Sequence, residues 1–326
     1  MKVLSKDELT IAKDELDSDN LVIFPTETVY GLGANALNED AVDKIYIAKN
    51  RASNNPLIVH LKDTNEIEKY AVISNEIEKK LINSFMPGPF TLILQKRDCI
   101  PNNVTCNLDT VGIRVPIDEI AHNLLDILDY PIAAPSANVS TKPSGTNISD
   151  IIPEFDGKVA YIIDGGESRI GLESTVCKVI DGVPTILRPG FITKEDICDV
   201  IGNCNVSKFV MEEAKGKVES PGMMYKHYSP NTKCVLVDRE LLEKESVKYS
   251  KPIIIGDSNC SDIPCFKYFN YGDDLVTIAH NIFKILREAD RLNGDIILIE
   301  STDTNGLGLA IMNRLIRTCE YNYVKR

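Results

Sequence analysis

Leu21-Val-Ile-Phe-Pro-Thr-Glu-Thr-Val-Tyr-Gly-Leu-Gly33 decides how the first part of this 326-residue chain is read. An apolar run stops at Pro25, and two glycines follow a polar turn. The pattern predicts a buried strand over 21–24 that empties into a tight loop carrying Thr26, Glu27, Thr28 and Tyr30. Open α/β sheets place their ligands at strand ends of this kind. Working outward, Lys49-Asn-Arg51 and Asn55-Pro-Leu-Ile-Val-His60 come next. Cations, hydroxyls and a histidine thus gather around two strand termini, as recognition of a small anionic substrate requires.

The surrounding pattern alternates in the same way. Ser5 and Glu8 make a capping box for a helix to about residue 17, and Asn38 caps one running to Lys49. Helices are expected near 64–71, 75–85 and 194–201. Strands are expected over 56–61, 90–94, 110–115, 159–163, 175–180 and 185–187, with a short one delivering Pro135-Ser-Ala-Asn138 into a polar turn. From about residue 203 to 231 the texture changes. Glu212-Glu-Ala-Lys-Gly-Lys reads as a linker, while Met223-Met-Tyr-Lys-His-Tyr-Ser-Pro230 is aromatic enough to dock onto something. Beyond it, strands over 234–237, 252–255 and 295–300 with helices over 273–292 and 307–319 read as a small parallel α/β domain.

The totals bound the function. A net charge of −12 argues against a protein whose main task is gripping a nucleic-acid backbone, although a local basic pocket is compatible with it. No segment approaches the length of a membrane span, and the start lacks an apolar signal core. The nine cysteines form no C-x-x-C pair, which suits a reducing cytoplasm.

Each candidate group has an ordinary structural explanation beside the functional one. Lys49 and Arg51 could complement a helix terminus or grip a phosphate. Pro135-Ser-Ala-Asn138 could be an Asx turn or a set of donors for a nucleotide, with Ser144 on the loop after it. His60 could be a satisfied structural residue. Arg114 lies inside an apolar strand, so it must meet either a protein carboxylate or a substrate anion. Glu173-Ser-Thr175 and Arg188-Pro-Gly190 bring further polar groups to strand ends.

Phe24-Pro-Thr-Glu-Thr-Val-Tyr-Gly-Leu-Gly33, Lys49-x-Arg51, Asn55-Pro-Leu, Phe85-Met-Pro-Gly-Pro-Phe-Thr91, Gly112-Ile-Arg-Val-Pro116, Ala134-Pro-Ser-Ala-Asn138, Glu173-Ser-Thr175 and Arg188-Pro-Gly190 closely resemble the YrdC-like family. Ser220-Pro-Gly-Met-Met-Tyr-Lys-His-Tyr-Ser-Pro230 and Gly306-Leu-Gly-Leu-Ala-Ile-Met-Asn-Arg-Leu315 resemble the linker and extra domain of its two-domain threonylcarbamoyl-AMP synthases. The resemblance implies a YrdC-like twisted, open mixed α/β sheet over 1–203, a linker and lid over 204–231, and a Rossmann-like parallel α/β domain over 232–326. The reaction it implies condenses L-threonine, bicarbonate and ATP to threonylcarbamoyl-AMP and pyrophosphate. Mg2+ would accompany the ATP, and a tRNA threonylcarbamoyltransferase would be the downstream partner.

Carried over by position, Thr28, His60, Arg114 and Ser174 resemble threonine-site residues. Arg51, Asn55, Thr110, Ser136, Asn138, Ser144, Arg188, His227 and Tyr228 resemble the ATP site, with Lys49 and Arg51 as catalytic cations. Where the family commonly has Lys-Gly-Arg-Pro, this chain has Lys49-Asn50-Arg51-Ala52; asparagine tolerates a left-handed backbone, so the substitution is compatible with the same loop. An RNA-binding module and another carbamoyl-transfer enzyme are the rival functions.

Overall fold

The computed structural model describes residues 1–212 and 228–326, which build two sheets. Among the described residues the larger sheet has twelve strands. Its spatial order is Lys2–Leu4, Tyr161–Ile163, Val22–Phe24, Gly31–Asn35, Ile132–Ala133, Ile58–His60, Thr110–Arg114, Phe90–Lys96, Thr175–Ile180, Val183–Arg188 and Asn205–Val206, with Ala71–Val72 paired beside Phe90–Lys96. Parallel and antiparallel pairings are interspersed, giving the twisted mixed α/β sheet expected. The smaller sheet is wholly parallel, in the order Lys267–Asn270, Pro252–Gly256, Ile296–Glu300, Cys234–Val237, Tyr323–Val324. The helices Leu275–Asp290 and Leu307–Thr318 pack beside it.

The 21–33 stretch is an antiparallel hairpin rather than a strand followed by a glycine loop. Phe24 pairs with Gly31, and Val22 with Gly33. A Cβ on Gly33 would lie 2.8 Å from Ile132 Cγ2 and 2.9 Å from the Phe24 ring. Glycine is required there by close packing across the sheet, not by turning. The next helix, Glu39–Lys49, matches its sequence signals. The Asn38 side chain accepts from the backbone of Asp40 and Ala41, and Asn50 ends the helix in the left-handed region at φ 49°.

The strands that escaped the sequence reading lie mostly at edges. Lys2–Leu4, Asn205–Val206, Lys267–Asn270 and Tyr323–Val324 are short and partly exposed, so they carry no apolar run. The helix Ile148–Phe155 was hidden by Pro153 within it. The Ser5–Glu8 box forms in part: the Glu8 carboxylate accepts from the Ser5 amide at 2.9 Å, and the helix begins at Leu9.

The two units share packing. Val29, Ile170 and Leu172 belong to the same buried cluster as Ile278, Ile282 and Phe283 of the smaller unit. Gly171, at φ 81°, lies against the helix Leu275–Asp290, where a Cβ would come within 2.5 Å of the His280 carbonyl oxygen. Arg287 pairs with Glu154 at 2.6 Å, Arg291 with Asp150 at 2.5 Å and Arg314 with Glu173 at 3.0 Å.

Residues 213–227 of the expected linker and lid, His227 among them, lie outside the described residues. The described flanks both meet the helix Leu307–Thr318. Asn313 donates to the Val210 carbonyl and Arg317 to that of Phe209, while the Thr318 hydroxyl donates to the Tyr228 carbonyl. No helix among the described residues is long and apolar enough to cross a membrane.

Candidate active site

Sheet order and register bring the polar strand ends together. His60 stands directly opposite Arg114 on one side and Ile132 on the other, and a bridge between Gly31 and Ser136 seats the 134–138 turn against the hairpin. The hairpin loop, the end of the helix Glu39–Lys49, these strand termini and the 173–174 and 188 segments enclose a cavity of about 240 Å³. Among the described residues four cations line it, Lys49, Arg51, Arg114 and Arg188, against one carboxylate, Glu173. A chain of charge −12 therefore folds a cationic pocket at the rim of its sheet.

Each cation is held by the protein in a particular way. The Lys49 ammonium donates to the Ser136 carbonyl at 2.5 Å and to that of Asn138. Burial, reinforced by Arg51, pushes its pKa well below the lysine range. Arg51 gives Nε and Nη2 to the carbonyl of Asn55, and Nη2 also to that of Pro56. Arg188 gives Nε and Nη2 to the Ser174 carbonyl, and Nη2 reaches the Ser174 hydroxyl at 3.1 Å. Burial lowers its pKa to about 10 against the pull of Glu173. Arg114 Nη2 lies 2.7 Å from Glu27 Oε1, both side chains almost fully buried, yet the contact is off the hydrogen-bond axis and leaves Arg114 Nε and Nη2 unsatisfied. In all three arginines Nη1 makes no hydrogen bond to a described residue. One arm of each fork is fixed or paired, and another remains for an anion.

Neutral polar groups complete the wall. Thr28 shares a 2.9 Å hydrogen bond with Thr26, whose hydroxyl also donates to the Val29 carbonyl. The Ser174 and Thr91 hydroxyls meet at 2.8 Å, and the Ser136 hydroxyl donates to the Asn138 side-chain oxygen at 2.6 Å. His60 is neutral: burial, then the neighbouring Arg114, pushes its pKa down to about 3, and its Nδ1 lies 3.2 Å from the Ile58 carbonyl. Gly190 touches the Glu173–Thr175 backbone, since a Cβ there would sit 2.4 Å from the Thr175 nitrogen. That approach fixes Arg188-Pro-Gly190 against Ser174.

Of the residues singled out from sequence, Thr28, Lys49, Arg51, Asn55, His60, Arg114, Ser136, Asn138, Ser174, Arg188 and Tyr228 all line this cavity. Ser144 lies behind the wall, fully buried, with its hydroxyl donating to Glu173 at 2.5 Å. Thr110 begins the strand that ends at Arg114 and is not among the lining residues; at about 3.3 Å per residue the two are about 13 Å apart. Lys49 lines the cavity but points its ammonium at backbone carbonyls, where a direct phosphate grip was expected. Sequence reasoning placed Glu27 and Glu173 at strand ends without finding their partners, Arg114 and Arg314, and gave Glu154 and Arg314 no role at the site. The Glu154 carboxylate accepts from the Val139 amide at 2.6 Å while pairing with Arg287, so it supports the turn holding Asn138. The signal for Arg314 was present: it shares a helix face with Leu307 and Ile311, and a charge on a buried face needs a partner.

Mixed sheet, cationic rim cavity and a docked parallel unit define a class: a two-domain YrdC-like α/β protein with a cavity suited to anions. The family described as "Telomere recombination" matches residues 14–190, and the "Threonylcarbamoyl-AMP synthase, C-terminal domain" family matches residues 192–319. The chain is 41% identical to the threonylcarbamoyl-AMP synthase of Pyrococcus abyssi, over 98% of this chain and 96% of that protein. It is also 41% identical to the Bacillus subtilis protein of the same name, over 93% and 90%. The crystal structure of P. abyssi Sua5 complexed with L-threonine superposes with a TM-score of 0.95, at 39% identity and covering 100% of both chains. The chain belongs to the family of two-domain threonylcarbamoyl-AMP synthases.

Proposed function

We propose that this chain makes threonylcarbamoyl-AMP and pyrophosphate from L-threonine, bicarbonate and ATP, supplying a tRNA threonylcarbamoyltransferase. The observation that carries this reading is the set of arginine arms at one hydroxyl-lined cavity, in a chain matching synthases of that name end to end. Bicarbonate loses hydroxide to give carbon dioxide, the neutral amine of threonine adds to its carbon, and the proton the nitrogen gives up leaves with the hydroxide as water. One oxygen of the resulting carbamate attacks the α-phosphorus of ATP. The bond to the bridging oxygen breaks, and pyrophosphate leaves with its electron pair. Charge builds on the phosphoryl oxygens, where fixed donors contribute most.

Arg114 and the Ser174 hydroxyl hold the threonine carboxylate, with Thr28 and neutral His60 at its side chain. Arg51 and Arg188 face the phosphates. Lys49 holds the Ser136 and Asn138 carbonyls so that the turn keeps its shape around the nucleotide. Magnesium would enter with ATP and supply charge neutralisation there. The one lining carboxylate, Glu173, is engaged by Ser144 and Arg314, so the described residues around the cavity do not fit a protein-held ion.

Pyrophosphate release from ATP, measured with threonine or bicarbonate omitted in turn, tests the reading. Release that requires both is expected. Release that is indifferent to either would overturn it, as would RNA binding without turnover.

A further inference from the structure

We propose that Arg314, on the last long helix of the smaller unit, is a positioning residue for the active site: it neutralises Glu173 so that Arg188 stays available to the substrate's anionic groups. This rests on the function proposed above and gives the second unit a role in it.

Arg314 has no exposed surface, although it carries a full charge. Its Nε donates to Glu173 Oε2 at 3.0 Å, and Nη1 donates to the Pro189 carbonyl at 2.7 Å and to Asn313 Oδ1 at 2.9 Å. Its guanidinium stands 5.8 Å from the ring centre of Tyr228, which lines the cavity. A single side chain from the smaller unit thus reaches the residue that follows Arg188 and the residue that precedes Ser174. A buried ion of this kind is costly unless paired, and the pairing partner here is the one carboxylate that lines the cavity among the described residues.

Two cations compete for that carboxylate. Burial opposes ionisation of Glu173, but Arg314 first, then Arg188 and the Ser144 hydroxyl, outweigh it and hold the pKa below the usual carboxylate value. Without Arg314 the buried charge would turn to Arg188. That guanidinium would swing from the Ser174 carbonyl and hydroxyl, and its uncommitted arm would be drawn out of the substrate's reach. The helix bearing Arg314 also holds Val210 and Tyr228.

ATP affinity of the full chain, read by calorimetry beside steady-state kinetics, tests this. Arg314→Met should weaken ATP binding and raise its KM at least tenfold, with kcat changed less than threefold. Adding Glu173→Gln to that variant removes the stranded charge and should bring affinity back to within about threefold of wild type. Arg314→Lys keeps the charge but loses the fork, and should stay within threefold; it serves if Arg314→Met does not fold. Unchanged affinity in Arg314→Met, no relief by Glu173→Gln, or a tenfold loss in Arg314→Lys would each overturn the proposal. Because calorimetry needs no turnover, a wild type that binds ATP but releases no pyrophosphate would count against the reaction and leave this comparison intact.

Discussion

Two charge clusters sit at strand ends in this molecule, one in each sheet, and they differ in what is left over. In the smaller sheet Asp257 and Glu300 follow or end adjacent parallel strands, where α/β folds often bind ligands. With Cys260 they form the one described group of acidic and thiol side chains close enough to hold a metal ion. Yet Arg239 already occupies the cationic position, donating to Asp257 at 2.6 Å, to Glu300 at 3.0 Å and to the Cys260 sulfur at 3.1 Å. Glu300 is satisfied further by the Asp257 amide and the Tyr271 hydroxyl. In the larger sheet the arginines are braced on one arm and uncommitted on another, beside a cavity. A closed network stabilises a fold, whereas a half-closed one can bind.

The largest expected effect falls on the half-closed cluster. Arg188→Ala removes both the hold on Ser174 and the uncommitted arm that the proposed function assigns to the phosphates. A charge-assisted contact contributes about 1.5–3 kcal/mol, so ATP affinity by calorimetry should fall at least tenfold. Gly171→Ala tests whether the two clusters' domains must dock tightly. The positive φ alone costs about 1–3 kcal/mol, and the new methyl meets the His280 carbonyl, so denaturant unfolding should show a lower midpoint. An unchanged midpoint would mean the contact is dispensable.

A pH experiment sharpens the contrast further. The folded-state pKa of His60 lies near 3, below an ordinary histidine value of 6.5, so the unfolded chain binds the extra proton first. Its contribution to stability is complete above pH 6.5 and is lost as pH falls toward 3, at up to about 1.4 kcal/mol per pH unit. His60→Asn should lose less stability than wild type between pH 6.5 and 4; matching slopes would mean His60 is not buried neutral. The smallest effect belongs to the closed cluster. Arg239→Met should leave pyrophosphate release within about twofold while lowering the denaturant unfolding midpoint, since it strips the cation from the buried Glu300.

Much of the site was legible because recognition chemistry sits on short local signals. The Asn38 cap and left-handed Asn50 set where Lys49 and Arg51 point, and an arginine inside an apolar strand announced its need for a partner. Which partner was not legible. Glu27 reaches Arg114 only through the hairpin and sheet order, and Glu173 meets Arg314 across 141 positions of sequence. The glycines of 31–33 were misplaced for a related reason. A residue that avoids a clash with Phe24 and Ile132 looks, in sequence, like one that makes a turn. Edge strands were missed because half-exposed segments lack the apolar run that marks buried ones.

L-threonine affinity, measured by calorimetry in Arg114→Ala and Arg239→Met side by side, tests the central contrast most directly. Losing the arginine beside the cavity should weaken threonine binding at least tenfold, and losing the one whose Nη1 is shared by Asp257, Glu300 and Cys260 should change it less than twofold. Equal effects, or an Arg114→Ala protein that is folded and binds threonine as wild type does, would contradict the account.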